Sequence, residues 1–285
     1  MITHPEKVLF PDIGLTKGEV AAYYEAVAPV MLPHLKGRPI TMERFPAGIG
    51  SEGFLQKNVV KGFPAWLKRI EVPKKGGVVN YPLANDLKSL LWIVNQNTIT
   101  FHVWTSRTPR LDRPDICILD LDPSQEDAEV LRNAALSARQ VFDELGYPSW
   151  IKTSGSKGFH IAARMKPRAG AGESSVLADK VARIMIERDP DHLTREFHKV
   201  DRRGRILIDT GRNNPGATFA APYSLRPKPD APVSAPCTWE EVERGKVAPQ
   251  SITVRSMPDR LQQLGDLWAG LLPAVRNPKS ASRKP

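Results

Sequence analysis

Hydrophobic residues recur at helical spacing near the start of the chain. The segment Thr16-Lys17-Gly18-Glu19 has the form of a capping box, in which Thr16 and Glu19 each satisfy a free backbone N–H group. A stripe of apolar positions follows it at Val20, Tyr24, Val27 and Met31. The pattern predicts a helix that begins after Thr16 and ends at Pro33, because proline has no N–H to donate.

The next part of the chain lacks a long periodic segment. Between Ile40 and Asn80, frequent glycines predict short strands and turns. Leu87, Leu90, Leu91 and Val94 fit one helical face, so a short helix is expected over residues 86–94.

The middle of the chain alternates between strand and helix patterns. Ser124 and Asp127 open a helix whose apolar stripe stops at Gly146, and a tight turn, Ser-Gly-Ser-Lys-Gly, joins two strands. The predicted strands are Ile116–Leu121, Ser149–Thr153, Phe159–Arg164 and Arg205–Asp209, and the later helices are Ser174–Arg188, Trp239–Gly245 and Pro258–Leu272. The alternation predicts a mixed α/β (α+β) fold.

Composition and charge exclude several classes of protein. The 285 residues contain 41 Lys and Arg against 31 Asp and Glu, a net charge of +10 with pI about 9.7, which suggests a polyanionic partner. An apolar run long enough to span a membrane is lacking, as is a secretory signal. Two cysteines cannot build a disulfide framework. We therefore expect a cytoplasmic protein that has no membrane partner.

Three aspartates form the first candidate site. Asp120 and Asp122 follow an apolar strand and point to the same face, because side chains two apart in a strand do so. Such close carboxylates repel unless a cation neutralises them, and a hard divalent ion is the usual solution. Asp209, at the end of a second apolar strand, is the best third ligand. The alternative is a strand-to-helix turn capped by Asp122.

The second candidate site is the turn from Ser154 to His160. Its glycines allow positive φ, and consecutive N–H groups in such a turn bind anions. Lys157 adds a charge, Ser154 adds a hydroxyl, and His160 adds a ring donor, so the segment fits a triphosphate. A plain β-hairpin turn with a solvated lysine explains the same residues.

Basic and aromatic residues supply two further elements. Arg212 and Arg226 suit bidentate phosphate binding, although surface arginines are common. Before residue 80, lysines interleave with aromatic residues, which favours contacts with phosphates and bases.

Together these residues resemble the archaeo-eukaryotic primase superfamily, and most closely the polymerase domain of bacterial DNA ligase D, a repair polymerase of non-homologous end joining. The resemblance rests on Asp120-x-Asp122, then Ser154-Gly-Ser-Lys157-Gly-Phe-His160, then Ile208-Asp209 with Arg212, in this order and spacing. It extends from Lys7-Val8-Leu9-Phe10-Pro11 to Trp239-Glu240-Glu241.

The resemblance implies a fold and a role for each site. The fold would be a primase-polymerase core of mixed β-sheets flanked by helices, with a palm like an RNA-recognition motif. Asp120, Asp122 and Asp209 would be catalytic and hold two divalent ions, with Mn²⁺ preferred or Mg²⁺. The nucleoside triphosphate would contact Ser154, Lys157, His160, Arg212 and Arg226. The DNA would contact Lys7, Lys17, Lys57, Phe54 and His102.

The resemblance also implies substrates, partners and an organisation. The DNA would be gapped or broken with a 5′-phosphate, gripped by Lys7 and Lys17, and the partners would include a Ku-like end binder and a DNA ligase at the bacterial nucleoid. We expect one domain over 1–272, with a DNA-binding part (1–110), a catalytic core (111–235), closing helices (236–272) and a basic flexible tail (273–285). Two positions depart from the family pattern, namely His4 in place of Asn and Leu55 in place of a second aromatic residue.

Three other functions remain open at this point. A primase would start chains without a primer, although a zinc-ligand cluster is missing from the sequence. A glycosyltransferase of the D-x-D type would use a metal-bound nucleotide, but it leaves the Ser154–His160 segment unexplained. A non-catalytic DNA-end-binding module would not need all three acids.

Overall fold

The computed structural model describes residues 2–166, 170 and 172–272. Within them the helices are α1 Lys17–Leu35, α2 Leu87–Asn95, α3 Ala128–Glu144, α4 Glu173–Arg188, α5 Lys199–Arg202, α6 Trp239–Glu243 and α7 Met257–Leu264. The strands up to the first acidic pair are β1 Val8–Phe10, β2 Leu15–Thr16, β3 Ile40–Arg44, β4 Phe54–Gln56, β5 Arg69–Lys74, β6 Gly77–Pro82, β7 Thr98–Val103, β8 Ser106–Arg107, β9 Arg110–Pro114 and β10 Ile116–Pro123. The later strands are β11 Ser149–Thr153, β12 Phe159–Arg164, β13 Leu193–Thr194, β14 Ile206–Asp209, β15 Phe219–Ala220 and β16 Pro236–Cys237.

Two larger sheets organise the chain. One has six strands in the order β13-β14-β10-β12-β11-β16, and the other has four in the order β15-β7-β3-β4. Three two-stranded ribbons, β1-β2, β5-β6 and β8-β9, complete the described strands. All pairs in the two larger sheets are antiparallel except β13 with β14.

Strand β10 lies at the centre of the six-stranded sheet and carries the acidic pair at its end. Its residues Ile116–Leu121 are buried, and helices α3 and α4 pack against it and against each other. A continuous apolar core joins these helices to α1 and to the four-stranded sheet. Burial on both faces explains why the β10 sequence is a continuous apolar run rather than an alternating one.

The predicted end of the first helix was wrong. Helix α1 runs through Pro29 and Pro33 to Leu35. The two prolines are four residues apart, so they share one face of the helix, and both are exposed. The carbonyl groups that lose their N–H partners therefore face water, while Met31 and Leu35 remain buried in the core.

The last predicted helix was wrong in length. Helix α7 ends at Leu264, because Gly265 adopts a positive φ of 66° that terminates the helix. A separate 3-10 turn over Ala269–Leu271 follows it. The other predicted helices and strands are present with small shifts at their ends.

Both larger sheets contain strands from segments that are distant in the sequence. Strand β15, at Phe219–Ala220, pairs with β7 in the sheet that is otherwise built from residues before 104. Strand β16 pairs with β11 and forms one edge of the six-stranded sheet. The predicted tail, 273–285, lies outside the described residues. Among the helices described, none has the length and apolarity needed to cross a bilayer.

Candidate active site

A cleft of about 300 Å³ opens where the two larger sheets meet. It is lined by strand ends of both sheets and by the turn after β11. Nine residues singled out from the sequence line it, namely His102, Asp120, Asp122, Ser154, Lys157, His160, Asp209, Arg212 and Arg226. The structure therefore brings the predicted metal-binding and nucleotide-binding residues together, although Asp120 and Arg226 are 106 positions apart in the sequence.

Sheet register places the acids beside each other. Asp120 pairs with Asp209 across β10 and β14, and with His160 across β10 and β12. Like charges directly opposite in a sheet repel. Asp209 is also bonded to its own turn, since its Oδ1 accepts from the N–H of Gly211 at 2.8 Å.

Arg212 is the cation that bridges these two acids. Its guanidinium lies 3.1 Å from Asp120 Oδ2 and 3.3 Å from Asp209 Oδ2. The next residue, Asn213, fixes the turn, because its side-chain amide accepts from Ile118 N at 2.9 Å and donates to Ile118 O at 2.7 Å. Asn213 thus attaches the turn that carries Arg212 to the strand that carries Asp120.

Asp122 is paired with a residue that the sequence did not single out. Arg202, a buried side chain from α5, donates from Nη1 to Asp122 Oδ2 at 2.9 Å. The same guanidinium donates to the carbonyl groups of Glu196 and Phe197. Each of the three carboxylates therefore forms an ion pair with an arginine.

The donor set fits a hard divalent cation. Within the described part of the chain, no group of three His, Cys, Asp or Glu side chains is already clustered as a metal centre. The oxygens of Asp120 and Asp209 nevertheless converge on one cationic group, the Arg212 guanidinium. Burial raises the pKa of Asp120, but His160 and Arg212 outweigh it and hold that pKa well below its usual range. The ionised carboxylates are the oxygen ligands that Mg²⁺ and Mn²⁺ prefer.

The turn from Ser154 to Gly158 is held tightly against the acids. Ser154 Oγ accepts from the N–H groups of Ser156 and Gly158, each at 3.1 Å. Two of the amides expected to face an anion are therefore occupied within the turn. Gly158 is required by space, since a Cβ there would lie 1.7 Å from the carbonyl oxygen of Leu121. Lys157 remains exposed at the mouth of the cleft.

His160 lies between an acid and a buried amine. Its Nε2 is 3.4 Å from Asp120 Oδ1, and its Nδ1 is 2.8 Å from Lys152 Nζ. Burial lowers the pKa of His160 to about 4, and Lys152 adds to the shift while Asp120 opposes it. The imidazole is therefore neutral at pH 7. Lys152, like Arg202, was not singled out from the sequence.

Arg226 enters the cleft from the segment after β15. Helix α1 supports this segment, because the Tyr24 hydroxyl accepts from Leu225 N at 3.0 Å and Tyr23 donates to Tyr223 O at 2.8 Å. Arg226 Nε is buried and has no hydrogen-bond partner among the described residues. Such a donor is costly unless a ligand satisfies it.

The predicted DNA contacts divide into one residue in the cleft and four outside it. His102, in the cleft, has its Nε2 3.0 Å from Glu43 Oε2. Phe54 and Lys57 are exposed on and just after β4, an edge strand, and the Arg44 guanidinium lies 5.3 Å from the centre of the Phe54 ring.

Lys7 and Lys17 form a separate basic site at the start of the chain. Lys17 N donates to Lys7 O at 2.7 Å where β2 leads into α1. Lys17 Nζ is 3.3 Å from Thr3 Oγ1. Burial lowers the pKa of Lys17, and the charge of Lys7 lowers it further. Two neighbouring ammonium groups that repel each other would be stabilised by an anionic ligand between them.

Three residues of the site were not predicted from the sequence. Each is identified by a contact with a residue that lies far away in the chain. Arg202 contacts a residue 80 positions away, Asn213 one 95 positions away, and Lys152 Nζ also contacts Ser234 Oγ, 82 positions away. A polar residue inside a β-rich apolar stretch was the one local signal for Lys152.

Comparison with known proteins agrees with this geometry. The family model of the LigD primase-polymerase domain matches residues 16–268. The multifunctional non-homologous end joining protein LigD of Mycolicibacterium smegmatis is 33% identical over 296 residues, which cover 100% of this chain and 39% of that protein. The bifunctional LigD protein of Bacillus subtilis is 29% identical, with 92% of this chain and 42% of that protein covered.

A solved structure extends the comparison to the fold. The polymerase domain of Mycobacterium tuberculosis ligase D, solved in complex with DNA, superposes with a TM-score of 0.90 at 31% identity, covering 95% of this chain and 97% of that one. The chain spans about two fifths of the length of the curated relatives named above. The mixed α/β fold and the polymerase class predicted from the sequence are confirmed, and the chain belongs to the LigD primase-polymerase domain family.

Proposed function

We propose that this chain is a template-directed DNA repair polymerase that adds nucleotides to a 3′ end at gaps or broken ends and recognises a downstream 5′-phosphate. The observation that carries the proposal is the shared cleft, in which three carboxylates lie beside one lysine, two histidines and three arginines. Carboxylates suit metal ions and the cationic groups suit a triphosphate, and nucleotide transfer needs both.

Asp120, Asp122 and Asp209 are proposed to hold two divalent ions, with Mn²⁺ preferred or Mg²⁺. When bound, such ions would activate a primer 3′-hydroxyl and neutralise charge on the pyrophosphate leaving group. Arg212 and Arg202 contact one oxygen, Oδ2, of each carboxylate. Metal ions would use the other carboxylate oxygens, and Arg212 would turn from Asp120 and Asp209 toward the nucleotide when they bind.

The incoming triphosphate is proposed to lie in the same cleft, against its basic side chains. Lys157 and the two arginines, Arg212 and Arg226, would neutralise its oxygens, and Arg226 Nε would gain the partner that it lacks among the described residues. Ser154 retains its hydroxyl proton for a phosphate, because its oxygen only accepts in the turn. His160 contributes a neutral N–H donor.

The basic site of Lys7 and Lys17 is proposed to bind the 5′-phosphate of the downstream strand. A phosphate would relieve the repulsion between the two ammonium groups, whose proximity lowers the pKa of Lys17 in addition to the effect of burial. Phe54, exposed on an edge strand, is proposed to stack near the template base, with Lys57 on the adjacent backbone and His102 at the cleft.

DNA is also the ligand of a similar solved structure, which supports the proposed partner. We further propose that a Ku-like end binder and a DNA ligase act with this polymerase, since its relatives are named as non-homologous end joining proteins.

Primer extension tests the proposal on four substrates: an open primer-template, a short gap with a 5′-phosphate, the same gap without it, and two 3′-overhanging ends. Each is tested with ribo- and deoxyribonucleotides and with Mn²⁺ or Mg²⁺. We expect templated extension that requires a divalent ion and is greatest at the phosphorylated gap. Absence of templated addition on every substrate would exclude the polymerase, and synthesis without a primer would identify a primase.

A further inference from the structure

Lys152 is a fully buried lysine in the middle of the six-stranded sheet. It lies on β11, beside His160 on β12 in the strand register. None of the described carboxylates forms an ion pair with it. The ring centres of Phe219 and Trp268 lie 6.0 Å and 5.9 Å from its Nζ. A buried amine in this position is costly unless each of its N–H groups is used.

Two acceptors account for the N–H groups of this amine. Lys152 Nζ donates to Ser234 Oγ, whose own proton goes to the carbonyl oxygen of Thr153 at 3.1 Å. The second neighbour is His160 Nδ1, at 2.8 Å. Burial lowers the pKa of Lys152 well below its usual value, which favours the uncharged amine. The two N–H groups of that form match the two acceptors, Ser234 Oγ and His160 Nδ1.

The other side of the imidazole indicates which tautomer is present. If Nδ1 carried the proton and donated to Lys152, then Nε2 would present a lone pair to Asp120 Oδ1 at 3.4 Å, and two acceptors would face each other. If Lys152 donates to Nδ1, the neutral ring carries its proton on Nε2, and that N–H faces the carboxylate and the cleft.

We infer that Lys152 is a positioning residue, which holds His160 as the Nε2–H tautomer by donating a hydrogen bond to Nδ1. The N–H of His160 then points toward the place where Asp120 and the triphosphate meet. This role deepens the proposed polymerase function and rests on it for its catalytic consequence, while the tautomer itself is a property of the free protein. Outer hydrogen-bond partners of this kind fix ring orientation in other active sites.

Nitrogen-15 spectroscopy of histidine-labelled protein tests the tautomer directly, without metal, DNA or nucleotide. The His160 signals are assigned from their loss in His160→Gln. At pH 7.5 the wild type should show a protonated Nε2 and an unprotonated Nδ1. In Lys152→Met only Asp120 still favours the Nε2–H form, so the two shifts should move toward each other as the Nδ1–H tautomer gains population. A wild-type proton on Nδ1, or an unchanged tautomer in a folded Lys152→Met protein, would overturn the inference.

Steady-state extension at a phosphorylated gap supplies the second readout. Lys152→Met should lower kcat by roughly 10- to 100-fold, with unchanged KM for the primer-template. Lys152→Gln, which retains an N–H donor, should recover part of the loss, and Lys166→Met, at an exposed lysine beyond β12, should behave as wild type. Full activity of Lys152→Met alongside an inactive His160→Gln would also overturn it. If the wild type extends no primer, the polymerase proposal fails, and the spectra still decide the tautomer.

Discussion

Asp120 and Asp209 are direct partners across the β10–β14 ladder, and one guanidinium, that of Arg212, contacts both carboxylates. The pairing sets two like charges opposite each other at the end of a buried sheet, where the neighbouring guanidinium offsets their repulsion. A divalent ion that replaces Arg212 would serve the same purpose more effectively. Stability should therefore depend on metal.

Divalent ions should stabilise the folded protein through these acids. Ligand at about 100 times its Kd adds about 2.7 kcal/mol to the free energy of unfolding. We expect Mn²⁺ to raise the thermal midpoint of the wild type relative to EDTA, and Asp209→Asn to lose most of that increase. Asp143→Asn, at an exposed site on α3, is the control and should keep it. An equal increase in Asp209→Asn would place the metal elsewhere.

Lys17→Met should remove the preference for a 5′-phosphorylated downstream strand. A charged hydrogen bond is worth about 1.5–3 kcal/mol, so affinity for the phosphorylated gap should fall roughly tenfold or more, while affinity for the unphosphorylated gap stays the same. Fluorescence anisotropy with the two gapped DNAs measures both. Lys246→Met, an exposed lysine after α6, serves as the control. If Lys17→Met keeps the preference, the phosphate binds at another site.

Gly158→Ala should disrupt the turn that carries Lys157. The added Cβ would lie 1.7 Å from Leu121 O, so β12 has to move away from β10. We expect a loss of roughly 2 kcal/mol or more in the free energy of unfolding, together with loss of extension. Gly50→Ala, where a Cβ meets ordinary contact at 3.5 Å, should cost little in urea unfolding. Equal stability of the two variants would refute this account of the turn.

His160 should make stability depend on pH. In the unfolded chain histidine binds a proton near pH 6.5, whereas burial lowers the pKa of His160 in the folded protein to about 4. The unfolded state therefore binds more protons between these values, so the contribution of His160 is present above pH 6.5 and is lost as pH falls toward 4.

Urea unfolding in metal-free buffer at pH 7 and pH 5 measures this contribution. The stability lost between the two pH values should be about 2 kcal/mol smaller in His160→Gln than in the wild type. Parallel losses in the two proteins would mean that His160 has an ordinary pKa in the folded state.

Local patterns were enough to predict the strands and the turn that carry much of the candidate site. The strands Ser149–Thr153 and Phe159–Arg164 and the turn between them appear at the predicted residues, because the turn chemistry and the apolar runs are both short-range signals. The two strand-end aspartates Asp120 and Asp209 could be paired in advance, since both follow strands of the same kind.

The parts that failed depend on long-range packing. Helix α1 passes Pro33 because its buried face, with Met31 and Leu35, is held by the core, and this stabilisation exceeds the cost of two exposed prolines. Nothing beside Arg202 in sequence distinguishes it from a surface arginine, and the one local signal for Lys152, a polar residue in an apolar stretch, was not enough to assign it a role. Their roles come from Asp122 and His160, which lie far away in the chain or on another strand.

The central claim is that the acids of the cleft catalyse nucleotide transfer, and one measurement tests it most directly. Extension of a primer at a phosphorylated gap is followed in the presence of Mn²⁺ for the wild type and for Asp120→Asn, with gapped-DNA affinity measured on the same samples. The account predicts that Asp120→Asn binds the DNA as tightly as the wild type and adds no nucleotide. Full extension by Asp120→Asn would contradict it.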